Sequence, residues 1–181
     1  MKRGGGITTR DSVYSALFTA VTAALGLVII PMFPVPVTGQ SMGPMLAGSA
    51  LGSKRGFMSL TVFVLSAAVG VPILSGARGG LGVIMGPTGG YILSWPIAAY
   101  IIGKLREVFG GKSLLRCITY NFFGGVVIVY SLGVPWLSVL QGLSLKTALI
   151  EGALIFLPGD IVKVFLASFA AQAINRSNII K

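Results

Sequence analysis

The sequence has no histidine, one cysteine and only four acidic residues among 181. Without histidine, neither a histidine-based catalytic triad nor a histidine-ligated metal is available. With Cys117 alone, no disulfide can close within the chain, and a thiolate metal cluster lacks its ligands. The four acids are Asp11, Glu107, Glu151 and Asp160, too few to solubilise a globule of this size. Soluble domains carry about 25% charged residues, whereas this chain carries 10% and has a mean hydropathy of +0.90. Glycine is abundant, yet the glycine-rich stretch from Ser75 to Tyr91 lacks the Gly-Lys-Ser/Thr ending of a phosphate-binding loop, so it does not read as a nucleotide site.

What is present is a set of apolar runs close to the roughly 20 residues needed to cross a bilayer. They make up a chain that is 54% hydrophobic. The formal net charge of +10 raises the possibility of nucleic acid, but the basic residues are clustered between apolar runs. That is the distribution of membrane topology rather than of a nucleic-acid surface. The reading is an all-α, multi-pass integral membrane protein, a single domain over residues 1–181.

Six helices are expected. Residues 1–12 form a basic tail with Lys2, Arg3 and Arg10. Helix 1 covers Val13 to Phe33, too long for a signal-peptide core of about 7–15 residues. Ala16, Ala20 and Ala24 repeat at every fourth position of it, making a flat strip on one face where another helix approaches closely, whether inside this protein or on a partner. Pro31, Pro34 and Pro36 turn the chain into an extended segment, Phe33 to Gln40. A short helix 2 spans Ser41 to Leu51, and Lys54-Arg55 mark the next turn. Helix 3 spans Gly56 to Val71, helix 4 Gly90 to Gly103 and helix 5 Leu114 to Val134. An amphipathic connection leads to Phe156, and helix 6 runs from Pro158 to Ile174. Six crossings put both termini on one side. With the N-terminus inside, eleven of the fourteen basic residues lie inside and only Arg78, Lys146 and Lys163 do not.

Three stretches carry candidate chemistry. Asp160 and Lys163 are three apart at the start of helix 6 and so share a face. Ionisable residues at membrane depth are costly and point to function, with a structural ion pair at the interface as the alternative. Arg78 sits in the glycine-rich approach Ser75 to Gly82; it is either a clamp for a carboxylate or a solvated loop arginine. The three charges sum to one net positive, which suits a small monoanion with polar groups at its far end. The stretch Gly86-Pro87-Thr88-Gly89-Gly90-Tyr91 allows backbone to approach a ligand closely. Tyr91 and Gln40 are either hydrogen-bonding pocket residues or interface residues. Tyr120 and Asn121 read as helix packing.

These stretches resemble the BioY family, the biotin-specific S components of energy-coupling factor (ECF) vitamin importers. The matching residues are Val35-Pro36-Val37-Thr38 with Gln40, Leu46-Ala47-Gly48, Leu51-Gly52 with Lys54-Arg55-Gly56, Gly86 to Tyr91, and Leu157-Pro158-Gly159-Asp160 with Lys163. They recur in family order from helix 1 to helix 6. Gly39 and Ser41 depart from the pattern, which has Leu and Thr beside the Gln. The resemblance implies the six-helix S-component fold with both termini cytoplasmic, an outward-facing vitamin pocket and biotin as the transported substrate. The substrate site expected from the residues and the resemblance together comprises Gln40, Arg78, Thr88, Gly89, Gly90, Tyr91, Asp160 and Lys163, with Arg78 lying in a loop that varies across the family. It also implies docking through Ala16, Ala20 and Ala24 onto a transmembrane T subunit that carries two ATPase subunits, so that ATP is used only by partners and no cofactor is needed. Three other readings compete. An S component for another small carboxylated vitamin would share these features. A structural membrane subunit without ligand would have no use for a placed Asp/Lys pair or a glycine-rich cap. A membrane enzyme would need an acid, base or metal set that the chain does not supply.

Overall fold

The structure, a computed structural model, describes residues 8–31, 37–111 and 113–177. The expected tail with Lys2 and Arg3, the prolines Pro34 and Pro36 with Val35, and Lys112 and Lys181 lie outside these residues. The described chain is mostly helical, as expected, and the helices pack around a short central one.

Helix α1 (Thr9–Leu25) starts with a capping box: the Thr8 hydroxyl accepts from the Asp11 amide, and the Asp11 carboxylate accepts from the Thr8 amide. These bonds, with Arg55 Nε 2.5 Å from Asp11 Oδ1, hold the Asp11 carboxyl down at about 2. The helix ends at Leu25, earlier than the apolar run through Phe33 implied. The continuing apolar residues form a strand instead: β1 (Ile29–Ile30) pairs antiparallel with β2 (Val37–Thr38). Hydropathy cannot see this boundary, because Val28, Ile29 and Ile30 are as apolar as the helix, and only their β-branching favours the strand.

A single 3₁₀ turn, Gly39–Ser41, leads into α2 (Met42–Leu51). Every residue of α2 from Gly43 to Leu51 is buried, so it is the core around which α1, α3, α5 and α9 pack. A helix apolar all round belongs in such a place. Gly52, at φ 87°, makes the turn into α3 (Ser53–Ala68). The C-terminal end of α5 clamps this turn. Glu107 accepts from the Ser53 amide at 2.7 Å, and Arg106 Nη1 donates to the Ala50 carbonyl at 3.1 Å. Both helix ends thereby find partners for backbone groups that the helices leave open.

The glycine-rich approach is a small hairpin, closed by backbone bonds between Leu74 and Arg78, followed by the short α4 (Leu81–Ile84). Helix α5 (Gly89–Phe109) runs six residues beyond the expected end at Gly103, so Lys104 and Arg106 are on the helix rather than in a loop. Helix α6 (Leu114–Phe122), a π-helical segment (Phe123–Ile128) and α7 (Val129–Gln141) form one 28-residue helix. Pro135, expected to end it near Val134, lies inside. Prolines are tolerated in such apolar helices because neighbouring groups re-satisfy the freed backbone. The expected connection to Phe156 is itself helical: α8 (Leu145–Leu149) continues as a second π-helical segment, Ile150–Leu154. Helix α9 (Leu157–Arg176) begins with Pro158 in its first turn, where the missing N–H costs nothing.

Asn121 does serve packing. It accepts from Ser49 Oγ at 2.6 Å and donates to Ser168 Oγ at 2.9 Å, joining α2, α6 and α9 in the apolar interior. Outside, large apolar side chains such as Val127, Leu132, Val139, Phe165, Leu166 and Phe169 are exposed along α6–α7 and α9. Those two helices are long and apolar enough to cross a bilayer. A continuous apolar exterior of this extent is what lipid contact requires.

Candidate functional site

Five segments far apart in sequence meet around one cavity of about 720 Å³, counted with the open space at its mouth. They are the β2–3₁₀ segment, the Leu74–Arg78 hairpin, the first turns of α5, and the facing residues of α7 and α9.

The polar end of the cavity is built on the first turn of α9. Asp160 is 5% exposed. Lys163 Nζ donates to its Oδ1 at 2.7 Å and to Ser41 Oγ at 3.0 Å; Ser41 Oγ lies 3.4 Å from the same carboxylate oxygen. The second carboxylate oxygen accepts from the Tyr130 hydroxyl at 2.5 Å. The i, i+3 spacing therefore does make an ion pair, and the pair is inside the cavity rather than at a wet surface. Burial of such a pair is tolerable only with additional hydrogen bonds, which Ser41 and Tyr130 supply.

The aromatic wall comes from α5. Tyr91 is buried; its hydroxyl donates to the Gly152 carbonyl at 2.8 Å, and its ring meets Tyr130 edge-on, with centroids 6.5 Å apart. Trp95 packs beside it against Phe63. Across the cavity, Gln40 is a latch. Its side-chain amide donates to the Ile73 carbonyl at 2.6 Å and accepts from the Ser75 amide and hydroxyl at 3.0 and 2.9 Å. One side chain thus ties the strand segment to the hairpin. Arg78 is exposed at the rim, with Nε donating to the Ser75 carbonyl at 3.0 Å. This cation makes no ion pair with a described residue.

Of the residues singled out from sequence, Gln40, Arg78, Thr88, Tyr91, Asp160 and Lys163 line the cavity. Gly89 and Gly90 do not line it. A Cβ on Gly90 would collide with the Trp136 side chain and one on Gly89 with the Ile84 carbonyl, so these two glycines let α5 pack against α7 and α4. The Gly89 amide already donates to the Gly86 carbonyl at 2.9 Å. Ala16, Ala20 and Ala24 are all exposed on α1, apart from the cavity. Sequence reasoning missed Tyr130, Ser75 and Trp95, and it met Ser41 only as a departure from a pattern. A hydroxyl on an otherwise apolar membrane-grade helix was the available signal for Tyr130.

A mostly helical membrane protein that builds a polar-ended, aromatic-walled pocket from distant segments has the form of a solute-binding membrane subunit. The comparisons make the class specific. The family model of the BioY family matches residues 1–179. Biotin transporter BioY of Rhizobium etli is 36% identical over 177 residues, covering 93% of this chain and 94% of that protein. Biotin transporter BioY of Rhodobacter capsulatus is 39% identical over 179 residues, covering 91% and 93%. Among solved structures, the S-component for biotin from an ECF-type ABC transporter superposes with a TM-score of 0.86 at 31% identity, covering 94% of this chain and 95% of that one. The chain belongs to the BioY family.

Proposed function

We propose that this protein captures biotin at the outer face of the cell membrane, as the substrate-binding S component of an ECF-type importer. The observation that carries the reading is the buried Asp160–Lys163 pair at the polar end of the pocket. Biotin has a ureido ring at one end and a carboxylate at the other. The carboxylate of Asp160 is an acceptor for a ureido N–H, and the ammonium of Lys163 has a third proton for the ureido oxygen. Tyr91 and Trp95 provide apolar cover for the bicyclic ring. Arg78 at the rim faces the carboxylate end, where its planar fork suits a carboxylate.

The topology that accompanies this reading is six crossings with both termini in the cytoplasm. It places eleven of fourteen basic residues inside and the pocket mouth outside. Transport then requires partners, because this chain has no nucleotide motif. The T subunit would dock on the exposed Ala16–Ala20–Ala24 strip of α1, and the two ATPase subunits would bind ATP behind it. Small residues at that face permit close helix approach.

Mass spectrometry of protein purified without added vitamin tests the reading directly, with biotin as the expected co-purified ligand. A titration with biotin, desthiobiotin and thiamine completes it. Tight binding of biotin and none of thiamine is expected. Binding of another carboxylated vitamin in preference to biotin, or no ligand at all, overturns it.

A further inference from the structure

Asp160 is held from two sides, and only one of them belongs to the motif that contains it. On its own helix, Lys163 takes Oδ1. The other oxygen is bound by Tyr130, thirty residues earlier in the chain. Tyr130 is itself built in. Its ring is half-buried and is met edge-on by Tyr91, whose own hydroxyl is anchored on the Gly152 carbonyl. It also stands two residues after the π-helical segment Phe123–Ile128. A π-turn inserts one residue into the helix, which rotates everything that follows by about 100° at 3.6 residues per turn. The direction in which α7 presents Tyr130 therefore depends on that irregularity.

We propose that Tyr130 is a positioning residue for the ligand: its hydroxyl fixes the Asp160 carboxylate so that the acceptor edge shared with Lys163 faces the cavity. Without the Tyr130 hydroxyl, the carboxylate rotates toward Lys163 and Ser41 and closes on the ammonium that should meet the ligand. A phenol in place of a second cation suits this task. It donates one hydrogen bond to the carboxylate without neutralising it, so Lys163 stays the sole counter-charge in the buried pair. This inference deepens the biotin reading and rests on it.

The test is a double-mutant comparison of biotin binding by isothermal titration, using full-length protein that elutes as a single species. Tyr130→Phe removes one oxygen and keeps the ring against Tyr91. It should weaken biotin about fivefold to tenfold. In an Asp160→Asn background the same change should cost less than about twofold, because the group through which Tyr130 acts is already altered. A purely structural role would lower affinity by the same factor in both backgrounds, and that result overturns the proposal, as does wild-type affinity in Tyr130→Phe. Should Tyr130→Phe fail to elute as one species, Tyr130→Leu takes its place in the same comparison under the same criteria. Wild-type protein that binds no biotin is a separate outcome: it removes the biotin reading and the role of Tyr130 with it.

Discussion

At the scale of single residues, the cavity holds groups proposed to meet a ligand and groups engaged only with the protein. On the proposed reading, Asp160 and Lys163 are the first kind. Removing one leaves the other buried without its partner, which costs about 1–3 kcal/mol and more for a charge. Asp160→Asn and Lys163→Met should each weaken biotin binding by at least about tenfold, since 1.4 kcal/mol is one decade. The double mutant should lose less than the sum, because the residues couple. Titration of folded protein checks this, and wild-type affinity in the single mutants would reduce the pair to a structural one. Gln40 is the second kind. Both ends of its amide are engaged with Ile73 and Ser75, so its contribution is to hold the rim together. Gln40→Ala should expose the Ser75 amide to faster hydrogen exchange and lower stability by about 1–3 kcal/mol. Unchanged exchange at Ser75 would show that the hairpin closes without the latch. The motif reading picked out Gln40 from its neighbours in sequence, but not this role, because its partners lie 33 and 35 residues away.

At the scale of elements, α1 has two separable parts. Its first turn is fixed by the Thr8–Asp11 capping box and by Arg55 from α3. The folded carboxyl of Asp11 is held at about 2, below its usual 3.8, so folding favours the ionised form. The stabilisation is present above about pH 4 and is lost as pH falls toward 2. Hydrogen exchange at the start of α1 should therefore accelerate on acidification over that range, and Asp11→Asn should abolish the change. Further along, Ala16, Ala20 and Ala24 are exposed, and no packing among the described residues accounts for them. Ala20→Trp should leave biotin affinity nearly unchanged while reducing co-purification with the T subunit and uptake. Loss of binding with assembly intact would contradict the assignment of this face. The strip was visible as a four-residue repeat. Its outward direction was not, since a repeat fixes which residues share a face and not what that face meets.

At the scale of the whole molecule, the site exists because α2 is short and buried from Gly43 to its end. With α2 at the centre, the β2–3₁₀ segment before it, the hairpin after α3 and the start of α9 are all brought to the same cavity. The charge distribution predicts that this cavity opens outward. In a Cys117→Ser background, Lys146→Cys should react with a membrane-impermeant thiol reagent from outside, and Lys54→Cys only after the cytoplasmic face is made accessible. Both positions are exposed in the fold, so burial would not mask either result. The opposite labelling pattern would turn the molecule over and put the pocket on the wrong side of the membrane.

Composition alone removed histidine chemistry and an intrachain disulfide, because those depend only on which residues are present, and the apolar runs marked a helical membrane protein because their length is a local property. Local pattern placed α2, α3, α5 and α9 to within a few residues, apart from the C-terminal extension of α5. Local spacing also put Asp160 and Lys163 on one face, because helical periodicity is a property of neighbours in sequence. Tertiary structure decided the rest. The end of α1 is set by strand pairing with Val37 and Thr38, Pro135 is carried through by an unbroken apolar helix, and Gly89 and Gly90 are small because Trp136 and Ile84 need the room. Above all, Tyr130 and Ser41 meet Asp160 from 30 and 119 residues away. A hydrogen bond is directional and short, so no spacing in a sequence can announce it until the fold has brought donor and acceptor within 3 Å or so of each other.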